Sequence, residues 1–306
     1  NQLFKILDTM MASHIGASAV SAVAYLSQIN MMISAVGTGL AVGASIKVSQ
    51  AYGAGDFMLV KKRVSTMFAM CGALGIAILL VLVPFTPEFL RLMNTPEEFI
   101  ADGSTYFRLE LFGMVITFFN NVYIAIERAR GNSKRILILN TAVIVVKLGL
   151  TAWFVYGLDG GINMISCATI ISQSFLLLAA CINMNQKGNA FGFSLRAISI
   201  KKEVICPMLT LSFPVIVELI AFAVGKVIVN SMSTVYGSWT VGALGISNNI
   251  GGITTNPQNG FQEGGSSIIS QNLGAGRPKR ALLAFRWVLY IDMLIGLVIM
   301  TASLLC

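Results

Sequence analysis

Four ionisable side chains, Asp8, Lys147, Glu218 and Glu263, stand inside stretches that are otherwise apolar. A charge at the centre of a bilayer costs about 2.5–3.5 kcal/mol on insertion scales, so each must face a cavity, a partner or an ion. Asp8 either serves a cavity or is tied to Lys147 or to backbone. Glu218 follows Pro214 by one helical turn. A proline inside a helix frees the carbonyl four residues earlier, that of Thr210, and a loosened backbone beside a carboxylate offers oxygen ligands of the kind Na⁺ takes. The competing reading pairs Glu218 with Lys226, two turns further on. Glu263 closes a line of Asn248, Gly252, Asn256, Asn259 and Glu263 at spacings of 4, 4, 3 and 4, which one helix presents as a single stripe. A polar stripe cannot face lipid, so it lines a cavity or meets another helix. Pro257 interrupts the same segment, and with Pro214 it marks a bend usable in gating.

Softer candidates surround these. Asn120 and Asn121 either line a cavity in the first half of the chain or glue helices together. Met10, Met11, Met31 and Met32 belong to a set of 15 methionines, side chains that suit a surface accepting varied ligands, although core and lipid-facing positions also use them. The only histidine is His14, and the five cysteines are scattered singly through apolar stretches. Hydrolase, metalloprotease and prenyltransferase chemistry therefore lacks its nucleophiles, bases and ligands. No enzyme is expected, and no structural metal.

The elements that hold these residues are membrane helices. Hydrophobic residues make up 56% of the 306 and charged residues 11%, which makes lipid the solvent. Apolar stretches of spanning length fall at 18–50, 60–85, 105–127, 136–156, 161–183, 204–232, 240–272 and 281–306, with a shorter one over Asn1–Ala12. Basic connections, such as Lys61-Lys62-Arg63 and the run from Arg128 to Arg135, follow every even-numbered span, while the odd-numbered exits are acidic or neutral. The positive-inside rule then puts the basic loops in the cytoplasm and explains the net charge of +8 without nucleic acid.

Ser49-Gln50-Ala51-Tyr52-Gly53-Ala54-Gly55 and Ser270-Gln271-Asn272-Leu273-Gly274-Ala275-Gly276 read alike at an offset of 221, and 12 of the 41 positions from Gly16 to Asp56 are identical to their counterparts. That period is too long for a solenoid and implies two copies of a large unit. Each unit holds an even number of spans, so the copies are related by an axis along the membrane normal, with the substrate site between them. The expected architecture is an all-α, polytopic membrane protein of two six-helix lobes. Residues 1–184 form the N-lobe, 185–203 a cytoplasmic linker and 204–306 a truncated C-lobe. The offset places about 17 further residues before the chain and about 100 after it. The repeated Gly-Ala-Gly has no following Lys-Ser/Thr and is read as a tight turn rather than a phosphate cradle.

The chain resembles the multidrug and toxic compound extrusion (MATE) family of secondary transporters. The likeness rests on Asp8-Thr9-Met10-Met11 with Gly16, on the two Ser-Gln-x-x-Gly-Ala-Gly segments, on Pro214 with Glu218, on Arg130-Gly131-Asn132-Ser133-Lys134 and on Thr169-Ile170-Ile171-Ser172-Gln173. It covers the whole chain, about nine of the family's twelve spans. The resemblance implies a monomer in the plasma (inner) membrane that exports organic, often cationic, small molecules against Na⁺ or H⁺ by alternating access. It also implies that Asp8 and Glu218 meet the coupling ion, with no other cofactor. One departure stands out, Val146-Lys147-Leu148-Gly149 where similar proteins carry Asn or Asp. A flippase for lipid-linked oligosaccharide is the rival within the same architecture. It would need several cavity cations, and Lys147 and Lys226 are the candidates.

Overall fold

The computed structural model describes residues 17–92, 97–158, 160–186, 189, 191–236 and 238–305. Asp8, Met10, Met11 and His14 lie outside the described residues. Those described form nine α-helices: α1 (Ala17–Gly53), α2 (Phe57–Leu82), α3 (Thr86–Leu92), α4 (Glu97–Ala129), α5 (Ser133–Ala152), α6 (Ile162–Met184), α7 (Lys202–Ser233), α8 (Ser238–Gly274) and α9 (Pro278–Leu305). Each expected span of full length is a helix. The short α3 had no counterpart in the expected spans, and a π-helical turn, Trp153–Gly157, continues α5.

Helix ends follow from three glycines. Gly55, Gly131 and Gly276 have φ of 75°, 84° and 67°, the left-handed region that glycine enters without a Cβ penalty. At each, the residue after the glycine donates back five residues: Asp56 N–H to Ala51 O, Asn132 N–H to Glu127 O, and Arg277 N–H to Asn272 O. This is the Schellman pattern, which satisfies the last carbonyls of α1, α4 and α8. The following helices start at once. The Asp56 carboxylate accepts from Leu59 N–H at 2.9 Å, and Pro278 opens α9 at the one position where a missing N–H costs nothing.

Two apolar clusters hold α1 to α6 together. One, nearer the basic loops, packs Val48, Val60, Met67, Ile126 and Met184 and also takes Met208 of α7. The other packs Leu26, Leu90, Phe107, Phe118 and Ile165. Residues between α6 and α7 dock on α2: Ser194 N–H donates to Ser65 Oγ and Ser199 N–H to Thr66 Oγ1, both at 3.1 Å. The two hydroxyls are buried, so they satisfy backbone that could not reach water. α7 lies along α1. The crossing is close because Gly39 and Gly43, four residues apart, face Ile216 and Ser212, leaving no room for a Cβ. Ser212 Oγ donates to Leu40 O at 3.2 Å across it.

Among the described residues, seven helices are long and apolar enough to cross a membrane: segments of α1, α2, α4 to α7 and α9. Large apolar side chains such as Leu80, Ile138, Phe213, Trp287 and Leu294 are exposed along them, a surface that only lipid makes favourable. The chain is a multi-pass, all-α membrane protein. α8 is absent from the seven. It has the length, but Asn248, Asn249, Asn256, Gln258, Asn259, Gln262 and Glu263 make it too polar to read as a span by hydropathy.

Candidate functional site

α8 and the proline-bearing α7 meet the first half of the molecule along one seam, formed with α1 and, for α8, also α4. At the end carrying the basic loops, this seam is closed by a reciprocal contact. A Cβ on Gly53 would strike the backbone carbonyl of Gln271, and a Cβ on Gly274 would strike that of Gln50. These positions are equivalent in the two copies of the repeat, so each copy's glutamine carbonyl sits against the other's glycine. Glycine is required because any side chain would occupy the partner's backbone. Gln271 Nε2 donates to Ala129 O at 2.6 Å, and Arg128 Nη2 lies 2.5 Å from Glu263 Oε2. All of these join α8 to the ends of α1 and α4.

The residues singled out by sequence distribute unevenly over this geometry. Asp8 and Met11 lie outside the described residues, and Asn248 is on α8 without a described side chain. Glu218 on α7 and Asn256, Pro257 and Asn259 on α8 are exposed, and Met31 on α1 is half-buried. Glu263 pairs with Arg128 at the basic-loop end of α8. Asn120 is corrected: it is buried, and its Nδ2 donates to Gln173 Oε1 at 2.8 Å and to Gln173 O at 3.0 Å, so it ties α4 to α6 instead of lining a cavity. Asn121 Nδ2 donates to Thr38 Oγ1 at 3.1 Å, joining α4 to α1 at half-buried depth. Pro214 and Pro257 both lie within continuous helices, and α7 carries a second internal proline, Pro207.

Sequence reasoning missed two carboxylates of α4. Glu110 accepts from Ser166 Oγ at 2.8 Å and from Asn30 Nδ2 at 3.2 Å, and so links α4 with α6 and α1. It stands five residues inside the expected span, near enough to its outer end to pass for an interfacial charge. Only tertiary packing sets it between helices. Glu127 is 2% exposed. It accepts from Asn132 Nδ2 at 2.9 Å and lies 3.7 Å from Arg130 and 3.6 Å from Arg135. The Arg-Gly-Asn-Ser-Lys segment therefore wraps a buried acid at the helix end. The 127/130/135 spacing of opposite charges was the readable signal.

Two grooves lie off the seam. One of about 370 Å³ is lined by Phe68, Phe119, Leu177, Met184, Phe193 and Ile198 among others, and one of about 420 Å³ by Ile200, Ile205, Cys206 and Leu209 among others. Neither is lined by an acid, so neither suits a cationic ligand.

Residues 1–153 and 214–306 match the MatE family model. A probable multidrug resistance protein of Bacillus subtilis, YoeA, is 26% identical over 92% of this chain and 62% of its own length. The multidrug export protein MepA of Staphylococcus aureus is 22% identical over 74% of this chain and 51% of its own. The chain thus spans less than two thirds of these relatives. Among solved structures, an outward-facing multidrug resistance MATE transporter of the MOP superfamily superposes with a TM-score of 0.87 at 22% identity, covering 97% of this chain and 66% of that one. A structure of MATE in the straight conformation superposes with a TM-score of 0.88 at 22% identity, over 97% and 67%.

Proposed function

From the premise that this chain belongs to the MatE family, we propose that it works in a secondary antiporter, a transporter and not an enzyme, exporting organic cations in exchange for Na⁺ or H⁺. The observation that carries this reading is the seam itself. It is shut at the basic-loop end by backbone contact and one ion pair, while Glu218, Asn256 and Asn259 on the same two helices are exposed. A seam shut at one end is what alternating access requires of one of its two states, and the acid and amide groups on the same two helices are the candidates for meeting ion and substrate. Two lobes, the first ending near residue 184 and the second beginning near 204, would rock about this seam.

In this mechanism Glu218 receives the coupling ion on α7 beside the carbonyl freed by Pro214, and Asp8 serves the first lobe. Ion binding favours one facing and drug binding the other. Reversing a 1:99 ratio of facings takes about 5.5 kcal/mol of differential binding. One charge crossing 100 mV supplies about 2.3 kcal/mol, so a complete switch draws on more than one ion or on a chemical gradient as well. The flippase reading is weaker: the Lys226 ammonium rests over the Phe222 ring at 4.9 Å, and Lys147 is buried on α5, so neither forms a seam cluster for pyrophosphate.

The test is export of a fluorescent organic cation from vesicles carrying the protein, with Na⁺ and pH gradients imposed separately and Glu218→Gln alongside. One gradient drives export, and the substitution abolishes that dependence. A response to neither gradient removes the antiporter reading.

A further inference from the structure

We propose that the connection between α6 and α7 seats an anionic phospholipid of the leaflet on the basic-loop side, with one acyl chain in the groove of about 370 Å³ and the phosphate on Arg196. α2, α4, α6 and the connection itself build that groove, through Phe68 and Gly72, Phe119, Met184, and Phe193 and Ile198. Asn185, just past the end of α6, is the only amide or charged group among its lining residues. The groove is open to the side, since Cys181, Phe193 and Leu195 on its rim are exposed. Its depth follows from α2. Lys61 and Lys62 stand one turn nearer the loop than Ser65 and Thr66, and Phe68, Ala69 and Gly72 follow one and two turns deeper on the same face. Lys61 to Gly72 is about 16 Å of helix rise, the depth of one leaflet of a hydrocarbon core about 30 Å thick.

The mouth of the groove carries charge of one sign. Arg196 is exposed in the turn Leu195–Ala197, between the lining residues Leu195 and Ile198. Backbone on both sides of it is fixed to α2, Ser194 N–H by Ser65 and Ser199 N–H by Thr66. Lys61 and Lys62 on α2 and Lys201, two residues past Ser199, are exposed as well. α2, α6 and residues 185–201 contain no Asp or Glu. The acids at this end are otherwise engaged or outnumbered: Asp56 caps α2, Glu127 is held by Arg130 and Arg135, and Glu203 follows Lys201 and Lys202.

An apolar slot beneath anchored cations is complementary to a long apolar chain with a negative head, which basic pockets on this side of a membrane recognise. The guanidinium fork matches phosphate oxygens in pairs. A zwitterionic lipid brings its own cation to the same place, and an organic cation meets repulsion there. Because residues 185–203 join the two halves, the lipid would fasten that connection to the first of them. None of this needs the antiport reading, and export can fail with the site intact.

The test reads lipid contact without transport. The full chain is reconstituted in vesicles of phosphatidylcholine and phosphatidylglycerol, with a trace of either lipid bearing a photoreactive acyl chain, and the cross-linked peptides are mapped. At equal mole fraction the phosphatidylglycerol probe is expected to mark residues 68–72 and 177–184 about fivefold more than the phosphatidylcholine probe. Arg196→Gln should lower its yield there about fivefold, and Arg196→Lys should keep most of it. Arg280→Gln removes a basic-loop charge on α9, which packs on α8, and should change nothing. Ala69→Leu, which fills the groove, should cut marking by both probes. Equal marking by the two probes, or an equal loss in Arg280→Gln, would mean diffuse attraction to a basic surface and overturn the site. So would unchanged marking in Ala69→Leu, or no marking by either probe, the groove then being covered by protein. Displacement of the probe by a hydrophobic organic cation would make the groove a substrate path and overturn it too. Should Ala69→Leu not fold, the two Arg196 variants decide alone.

Discussion

Arg128 and Glu263 come from opposite halves of the chain, and their side chains are 21% and 32% exposed, so solvent screening limits the pair to about 0.5–1 kcal/mol. Glu263→Gln is expected to raise the open population at the basic-loop end about two- to five-fold. Arg128→Glu should do more, by placing like charges together, and the exchanged pair Arg128→Glu with Glu263→Arg should restore the original ratio. Pulsed electron paramagnetic resonance between spin labels at Ala54→Cys and Ala275→Cys, with native cysteines replaced, measures that ratio. Asn120 belongs to stability. Asn120→Leu removes a buried bridge to Gln173 and should cost about 0.6–1.7 kcal/mol, read as a lower melting temperature in detergent with export unchanged. At this scale the sequence was legible for residue type and illegible for partnership. Glu263 was visible as an intramembrane charge, yet Arg128 looked like one more loop cation, because a partner 135 positions away is set by the fold alone.

Helix boundaries were legible to within a few residues except at α4, because Gly, Pro and Asp punctuate them. The turn read at Gly-Ala-Gly is present in both copies, with the second glycine of each at positive φ. What spacing could not show is that the first glycine of each does a different job. Gly55→Ala and Gly276→Ala should each cost about 1–2 kcal/mol of stability through a strained left-handed residue and leave the seam shut. Gly53→Val and Gly274→Val meet a facing backbone instead, so they should part α1 from α8 and lengthen the spin-label distance by similar amounts. A lengthened distance in the Gly55 and Gly276 variants, or none in the other two, would refute this division of labour. α8 was found as a span at 240–272 although its polar stripe lowers its hydropathy below that of the seven other long helices.

For the molecule as a whole, the periodicity of the apolar stretches sufficed for an all-α membrane architecture, and the internal repeat pointed to a pair of related halves. The repeat also named the segments that meet, although nothing in a linear offset says that equivalent segments touch. That the stretch between α6 and α7 is fastened to α2 through Ser65 and Thr66 was hidden too, since hydroxyls in an apolar helix read as neutral filler. Substituting both, Ser65→Ala with Thr66→Val, should free that connection to limited proteolysis while the helices stay folded. The mutual fit of Gly53 with Gln271 and of Gly274 with Gln50 has a hereditary consequence. Neither segment can drift alone at these places, for a change in one is judged by the shape of the other.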